Sequence, residues 1–308
     1  MNLAVRKANR EDLTRIGEIY AYARAFMAAH GNPNQWGTSH PPMTQLERDI
    51  EMGDLYVIVN GSGIHGVFYF FIGDDPTYAC IDDGQWHGSR PYGTIHRIAS
   101  DGTGGILAAA VSFGKGKIDY LRIDTHEDNK VMQAAVAKQG FQRCGVIYQP
   151  DGSPRIAYDL SLIRRAKPRD VSRIAEILVF TKRMNYRSIF HNDAYSFGEL
   201  QVLTVARDYL ENPGLLEEIW VFDDGIVKGL IQISGKEVKQ LYVDSFFENQ
   251  GIGGRLLGFA IARSDVNRLW VLEKNTRGRA FYARHGFRES GERKYEDGTP
   301  ERLLRMER

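Results

Sequence analysis

Cysteine is almost missing from this chain. Two residues, Cys80 and Cys144, among 308 are too few and too scattered for a disulfide framework or a zinc site, and they read as reduced, small hydrophobic side chains. Charge of one sign is missing as well. Forty Lys and Arg stand against 39 Asp and Glu, a formal net charge of +1, and no basic run or tail marks a nucleic-acid backbone as a partner. Nor is there a membrane-length apolar run: Gly102–Gly114 is rich in Gly and Ala but too short to cross a bilayer. The opening residues, MNLAVRKANRED, lack the apolar core of a signal peptide. These absences lead us to expect a cytoplasmic protein with neither membrane nor nucleic acid among its partners, and they leave the oligomeric state open.

With 43% apolar and 26% charged residues the chain is globular in composition, and its length has room for two ordinary domains. One pattern occurs twice. The second half reads Gln250-Gly251-Ile252-Gly253-Gly254, an apolar helix, a short strand, Asn275, and then His285-Gly286-Phe287. The first half reads Asp101-Gly102-Thr103-Gly104-Gly105, an apolar helix, a strand, Asn129 and Gly140-Phe141. Taken without a gap, Gly102, Gly104 and Gly105 fall on Gly251, Gly253 and Gly254. The two halves also open alike. Ala8, Asp12 and Ile16 recur as Ala166, Asp170 and Ile174, each Asp standing where it would cap a helix of apolar period. The boundary is therefore expected near 158–162, giving domains 1–160 and 161–308. No Gly/Ser or Pro-rich linker parts them.

Turn signals and alternation predict strands at 55–59, 64–72, 94–99, 118–123, 141–148 and 155–159 in the first half. In the second half they predict strands at 215–222, 227–234, 237–243, 268–273, 287–294 and 301–307. Thr44–Glu47 reads as a capping box for a short helix, and residues 74–92 as a long loop. Long hairpins with few helices make each half α+β rather than a βαβ repeat.

A glycine loop feeding a helix is a site for phosphate: glycines admit a close backbone approach, and the helix N-terminus offers unsatisfied N–H groups and the positive dipole end. The spacing does not fit the dinucleotide fingerprint, and no Gly-Lys-Ser/Thr follows. A tight turn with close helix packing is the competing reading.

Val243, six residues, Gln250-Gly251-Ile252-Gly253-Gly254, then Leu256-Leu257 resembles the acetyl-CoA signature of the GNAT N-acetyltransferase superfamily. Asn275 with Ala280-Phe281-Tyr282 and Gly286-Phe287 resembles its second signature, and residues 95–141 match more weakly. The resemblance implies tandem GNAT (acyl-CoA N-acyltransferase) domains. Each is a mixed, mostly antiparallel sheet flanked by helices, splayed between its fourth and fifth strands to admit the cofactor arm. By position it implies that Gln250, Gly251, Gly253 and Gly254 hold the pyrophosphate, that Leu241 and Val243 line the pantetheine arm, and that Asn275 bonds it. Gly102, Gly104, Gly105 and Asn129 are the first-half equivalents.

For the chemistry, Tyr282 is a candidate general acid or a packed aromatic, and Glu237 a candidate general base or a surface residue. Asp244 is a weaker base or a turn cap. Strict alternation puts Glu237, Lys239, Leu241 and Val243 on one strand face, and Val238, Gln240 and Tyr242 on the other. In the first half Val136 stands at the position of Tyr282, and Asp101 puts a negative charge beside the anion loop. His126 with Asp124, or His96, is a substitute acid–base group, and His126 is equally a loop histidine. Arg97 and Arg122 either bind acidic ligand groups or neutralise Asp101 and Asp124. Trp36, Trp86 and Tyr92 line a pocket or cover core. Tyr186, Phe190, His191, Tyr195 and Phe197 cluster where the fold shapes an acceptor site. The expected function is transfer of acetyl from acetyl-CoA directly to a primary amine, a small molecule or peptide, without an acyl-enzyme, the second domain being the catalyst and no metal taking part. The alternative is a non-catalytic CoA-binding sensor or assembly protein.

Overall fold

A computed structural model describes residues 3–308. The chain divides after Ser161 into two compact units. The first contains β1 (Ala4–Lys7), α1 (Leu13–Ala29), α2 (Met43–Met52), β2 (Leu55–Asn60), β3 (Gly63–Ile72), β4 (Gly93–Ser100), α3 (Ile106–Lys117), β5 (Tyr120–Thr125), α4 (Lys130–Lys138), β6 (Gln142–Tyr148) and β7 (Pro154–Ser161). The second contains β8 (Ile163–Arg165), α5 (Val171–Phe190), α6 (Val202–Glu211), α7 (Gly214–Glu217), β9 (Ile219–Asp223), β10 (Val227–Ser234), β11 (Glu237–Val243), α8 (Ile252–Ser264), β12 (Arg268–Leu272), α9 (Thr276–Arg284), β13 (Arg288–Tyr295) and β14 (Arg302–Glu307).

Each unit has a seven-stranded sheet of the same topology: β1-β2-β3-β4-β5-β7-β6 in the first, β8-β9-β10-β11-β12-β14-β13 in the second. All pairings are antiparallel except the fourth with the fifth strand. Those parallel pairs are short. They join Gly93 to Leu121 and Thr94 to Arg122 in one unit, and Glu237 to Arg268 and Val238 to Leu269 in the other. Beyond them the strands diverge, so each sheet is split at its centre. The α+β architecture expected from the sequence is the one found.

Alternation builds three layers. Along β10, Leu230 joins the core under α5 while Ile231 joins the core under α8. Val221 and Phe222 divide in the same way along β9. The alternation predicted for β11 fails at one residue. Ile233 pairs with Val238 and Gln232 with Gln240, so Lys239 is an extra residue in a bulge. Val238 therefore packs with Leu241 and Val243 against α8. Glu237 moves to the Tyr242 face.

Several local expectations are corrected. Met43 opens α2 with Pro42 as N-cap and no side-chain cap, so Thr44–Glu47 is no capping box. Asp12 and Asp170 do not cap α1 and α5 with their side chains. Each accepts the N–H of a residue three earlier (Asn9 and Lys167, at 2.9 and 2.8 Å) and pairs with Arg6 or Arg164, at 2.7 Å in both units. Residues 215–217, expected as strand, lie in the helical turn α7, and β9 starts at Ile219. Among the described residues no helix is long and apolar enough to cross a membrane.

Candidate active site

In the second unit the split between β11 and β12 leaves one edge of β11, from Lys239 to Val243, without a strand partner on the β12 side. Its outward N–H and C=O groups can bond an extended ligand arm, and the Val243 carbonyl accepts the Thr181 hydroxyl at 3.5 Å. At the end of that edge the chain turns through residues 244–251 into α8. Gly251 is the N-cap, at φ +79°, a left-handed conformation that glycine adopts without strain. The N–H of Arg255 closes the first helical bond, on the Gly251 carbonyl at 3.0 Å. The N–H groups of Ile252, Gly253 and Gly254 precede it and have no helical acceptor. Gln250 is exposed at the rim, its amide 3.4 Å from the Phe246 carbonyl. Asp244 is a turn cap: it accepts the Phe246 N–H at 2.8 Å and pairs with Arg173.

Across the split stands α9, capped by Asn275, whose Oδ1 accepts the Gly278 N–H at 2.9 Å. That leaves the Asn275 amide to face the split, where it acts on the Tyr186 hydroxyl. Tyr282 sits about two turns further along α9. Its ring packs edge-on against Phe281 and Phe287, with centroids 5.2 and 6.1 Å away. Burial, then Tyr186, pushes its phenol well above the ordinary range. Burial does the same to Tyr242, which feels Tyr186 and Tyr282 as well. Three phenols thus share the split, and all are held protonated at neutral pH. The sequence pointed to Tyr282 alone. Tyr242 lies one residue from a position the motif marks, and Tyr186 belongs to the aromatic cluster of α5.

Glu237 is not brought to Tyr282. It lies at the paired start of β11, its carboxylate 2.8 Å from Lys239 Nζ and 3.5 Å from Arg268 Nε. Five residues of strand, roughly 16 Å, separate it from Tyr242. The carboxylate that acts on Tyr186, Tyr242 and Lys182 is Glu296, directly after β13 in the β13–β14 hairpin. Burial lowers the Lys182 ammonium, against the pull of Glu296. No sequence motif announced Glu296 or Lys182.

The first unit repeats the frame with different chemistry. Gly105, at φ +86°, is the N-cap of α3 and thus the counterpart of Gly251. The ungapped alignment of the loop glycines slips by three residues. Packing agrees with the shift: Gly66 of β3 faces Ile106, and Gly229 of β10 faces Ile252, where an added Cβ would stand 2.5 and 3.3 Å from the isoleucine Cγ2. Asn129 and Asn275 then correspond, each accepting the N–H three residues on. Gly102 and Gly104 fall in a loop three residues shorter, and Ile106, Leu107 and Ala108 occupy the turn that carries Gly253 and Gly254. Asp101 adds no free negative charge, being held by Arg15 at 2.6 Å and His65 at 3.0 Å.

A cavity of about 650 Å³ fills this split, lined among others by Tyr22, Trp36, His96, Asp124, Thr125 and Asn129. His96 lies between Asp75 (2.7 Å) and Asp124 (3.3 Å), and Tyr78 donates to Asp124 at 2.8 Å. Burial pulls the imidazole down, but Asp124 and Asp75 outweigh it and hold His96 at about 9. Burial likewise opposes ionisation of Asp75, and His96 and Thr77 overcome it, to about 2. Val136, wholly buried, takes the place of Tyr282. His126 is a loop histidine whose Nδ1 accepts the Asp128 N–H at 3.1 Å. Neither arginine is free for a ligand. Arg97 pairs with Asp49 at 2.6 Å, and Arg122 is caged by Trp86 and Tyr92, 3.9 and 3.8 Å from their ring centroids.

Residues 216–289 match the family model of the acetyltransferase (GNAT) domain. The second unit contains a GNAT domain. The region matched runs from α7 through the glycine loop and α9, and so includes the split, Asn275 and Tyr282. Acetyl-CoA-dependent acyl transfer is the general activity of that family. Among solved structures, a GNAT-family acetyltransferase from Streptococcus agalactiae is 29% identical over 52% of this chain and 95% of its own, with a TM-score of 0.47. YjaB from Escherichia coli is 22% identical over 47% and 95%, with a TM-score of 0.39. The paia N-acetyltransferase of Thermoplasma acidophilum, solved in complex with coenzyme A, is 22% identical over 47% and 98%, with a TM-score of 0.36. No curated protein matches the chain.

Proposed function

We propose that the GNAT domain moves the acetyl group of acetyl-CoA directly to a primary amine, with Tyr282 as general acid. The observation that carries this is a partly buried phenol, held protonated, in the same split as a helix N-terminus with three N–H groups that have no helical acceptor. The N–H groups of Ile252, Gly253 and Gly254 and the α8 dipole bind the pyrophosphate, with Gln250 and Gly251 at the rim. The unpaired backbone edge at Leu241 and Val243 bonds the pantetheine arm, and the Asn275 amide adds a donor. The acceptor enters on the Tyr242 face, where Glu296 attracts its ammonium and takes a proton from it. The neutral nitrogen then bonds to the thioester carbonyl carbon. The carbon–sulfur bond breaks, Tyr282 gives its proton to the thiolate, and the proton lost by the nitrogen restores the phenol. Glu237, bound to Lys239 and Arg268, supports strand pairing in this scheme.

An acyl-enzyme is not needed. Both cysteines lie in the first unit, and burial, then Asp159, raises the Cys144 thiol to about 12. The alternative of a CoA-binding but non-catalytic role suits that first unit, where Val136 replaces the acid.

The test is Tyr282→Phe, assayed by thiol release with polyamines, aminoglycosides and peptide N-termini as acceptors. Turnover is expected to fall by roughly a hundredfold to ten-thousandfold while acetyl-CoA affinity is unchanged. Unchanged turnover removes Tyr282 as the acid.

A further inference from the structure

One side-chain cluster in the first unit takes no part in acyl transfer. His87, on the long loop after β3, meets Cys144 of β6 and Asp159 of β7. His87 Nδ1 stands 2.8 Å from Asp159 Oδ1 and 3.4 Å from Cys144 Sγ. The three donor atoms all lie within 4.8 Å of one another. We propose that His87, Cys144 and Asp159 form a binding site for a zinc-class divalent transition metal ion, with water as the fourth ligand.

The donor set is the first argument. One imidazole nitrogen, one thiolate and one carboxylate suit Zn²⁺, whereas an all-oxygen set would suit Mg²⁺ or Ca²⁺. Spacing is the second. With metal–nitrogen, –sulfur and –oxygen bonds of roughly 2.0–2.3 Å in a tetrahedron, ligand atoms stand roughly 3.6 Å apart for N and S and roughly 3.3 Å apart for N and O. The nitrogen–sulfur distance needs almost no adjustment. The nitrogen–oxygen pair opens by roughly half an ångström when the proton between them leaves. Coordination releases the thiol proton to solvent, and the metal takes Nδ1 of the neutral imidazole tautomer whose proton sits on Nε2 and points outward.

The surroundings are built for it. The second oxygen of Asp159 accepts the Tyr120 hydroxyl at 2.6 Å and the His87 backbone N–H at 2.9 Å, so the carboxylate is oriented by donors that a metal on Oδ1 would not displace. Cys144 and Asp159 are buried, while the His87 side chain is 45% exposed, which gives an ion a way in and water a fourth position. The loop is pressed on the strand by backbone contact. Asp82 and Val146 exchange N–H···O bonds at 2.8 Å, and Gln85 N–H donates to Cys144 O at 2.9 Å. Two glycines make that approach possible: a Cβ on Gly84 would meet Cys144 O at 1.9 Å, and one on Gly145 would meet Asp82 O at 2.4 Å. The same loop carries Asp75 and Tyr78, which position His96 at the cavity. A metal on His87 would tie this loop to β6 and β7 and so hold the cavity wall.

Cobalt(II) titration of the reduced full-length chain tests the site. The expected result is one ion per chain, a thiolate-to-cobalt charge-transfer band with strong visible bands of tetrahedral type, displacement by Zn²⁺, and a higher melting temperature with Zn²⁺. Cys144→Ser should abolish the charge-transfer band, His87→Gln should weaken binding by more than about tenfold, and Cys80→Ser should change neither. Absence of the band in wild type, its survival in Cys144→Ser, or its loss in Cys80→Ser overturns the proposal. Should Cys144→Ser fail to fold, His87→Gln decides at a half-exposed position, where unchanged affinity overturns it.

Discussion

Replacing His96 by glutamine removes the one cation between Asp75 and Asp124, with Tyr78 the other titratable neighbour. Lifting an imidazole from its ordinary 6.5 to about 9 corresponds to about 3 kcal/mol of native-state stabilisation, at about 1.4 kcal/mol per pH unit. The folded value lies above the unfolded one. The contribution is therefore complete below pH 6.5, declines as pH rises, and is gone above about 9. Wild type should lose up to about 3 kcal/mol of first-unit stability across that window, and His96→Gln should lack this slope. At pH 6 the variant should be less stable by about 3 kcal/mol or somewhat more, because two carboxylates then face each other uncompensated. Chemical denaturation at a series of pH values, followed by the fluorescence of Trp36 and Trp86, reads the difference between the two proteins. The same pH slope in both, or a His96 resonance titrating near 6.5 by NMR, would refute the reasoning.

Gly145→Ala should destabilise the first unit by about 1–3 kcal/mol in a melting experiment, since its Cβ would stand 2.4 Å from the Asp82 carbonyl oxygen and push the loop off β6. Gly251→Ala meets nothing within 4 Å and should cost only the left-handed backbone, about 1–2 kcal/mol, so a larger loss in a denaturant titration would point to crowding at the helix start. Glu296→Gln should raise KM for the amine by about tenfold, the factor for one lost charge-assisted contact, and Glu237→Gln should change kcat/KM little. Steady-state kinetics giving the reverse order would return the base to the start of β11.

What the sequence disclosed was local. A glycine at φ +79° or +86°, an Asn capping a helix, and strands of strict alternation each impose a requirement on a few adjacent residues. That is why the sequence marks 227–234 and 237–243 at their observed ends and makes the tandem frame visible. The bulge at Lys239 changes one residue's pairing and leaves no compositional mark, so the faces of Glu237 and Val238 were exchanged. The loop glycines slipped by three because Gly102, Gly104 and Gly105 look like the second loop, while only Gly105 has the N-cap role. Groups that converge from distant segments were not legible at all. Glu296 reaches the phenols from the last hairpin, and His87 reaches Cys144 from a loop 57 positions away. Pairings of that kind are decided by packing, and a lone cysteine carries no spacing to read.

The central claim is that the second unit receives acetyl-CoA at the N-terminus of α8. A calorimetric titration of wild type and Gly253→Glu with acetyl-CoA tests it most directly. A Cβ at Gly253 stands 3.5 Å from the Phe281 ring, in ordinary contact, so the variant should fold while its carboxylate takes the place of the phosphate. The account predicts that the second-unit site vanishes together with turnover. Undiminished binding and turnover in Gly253→Glu would contradict it.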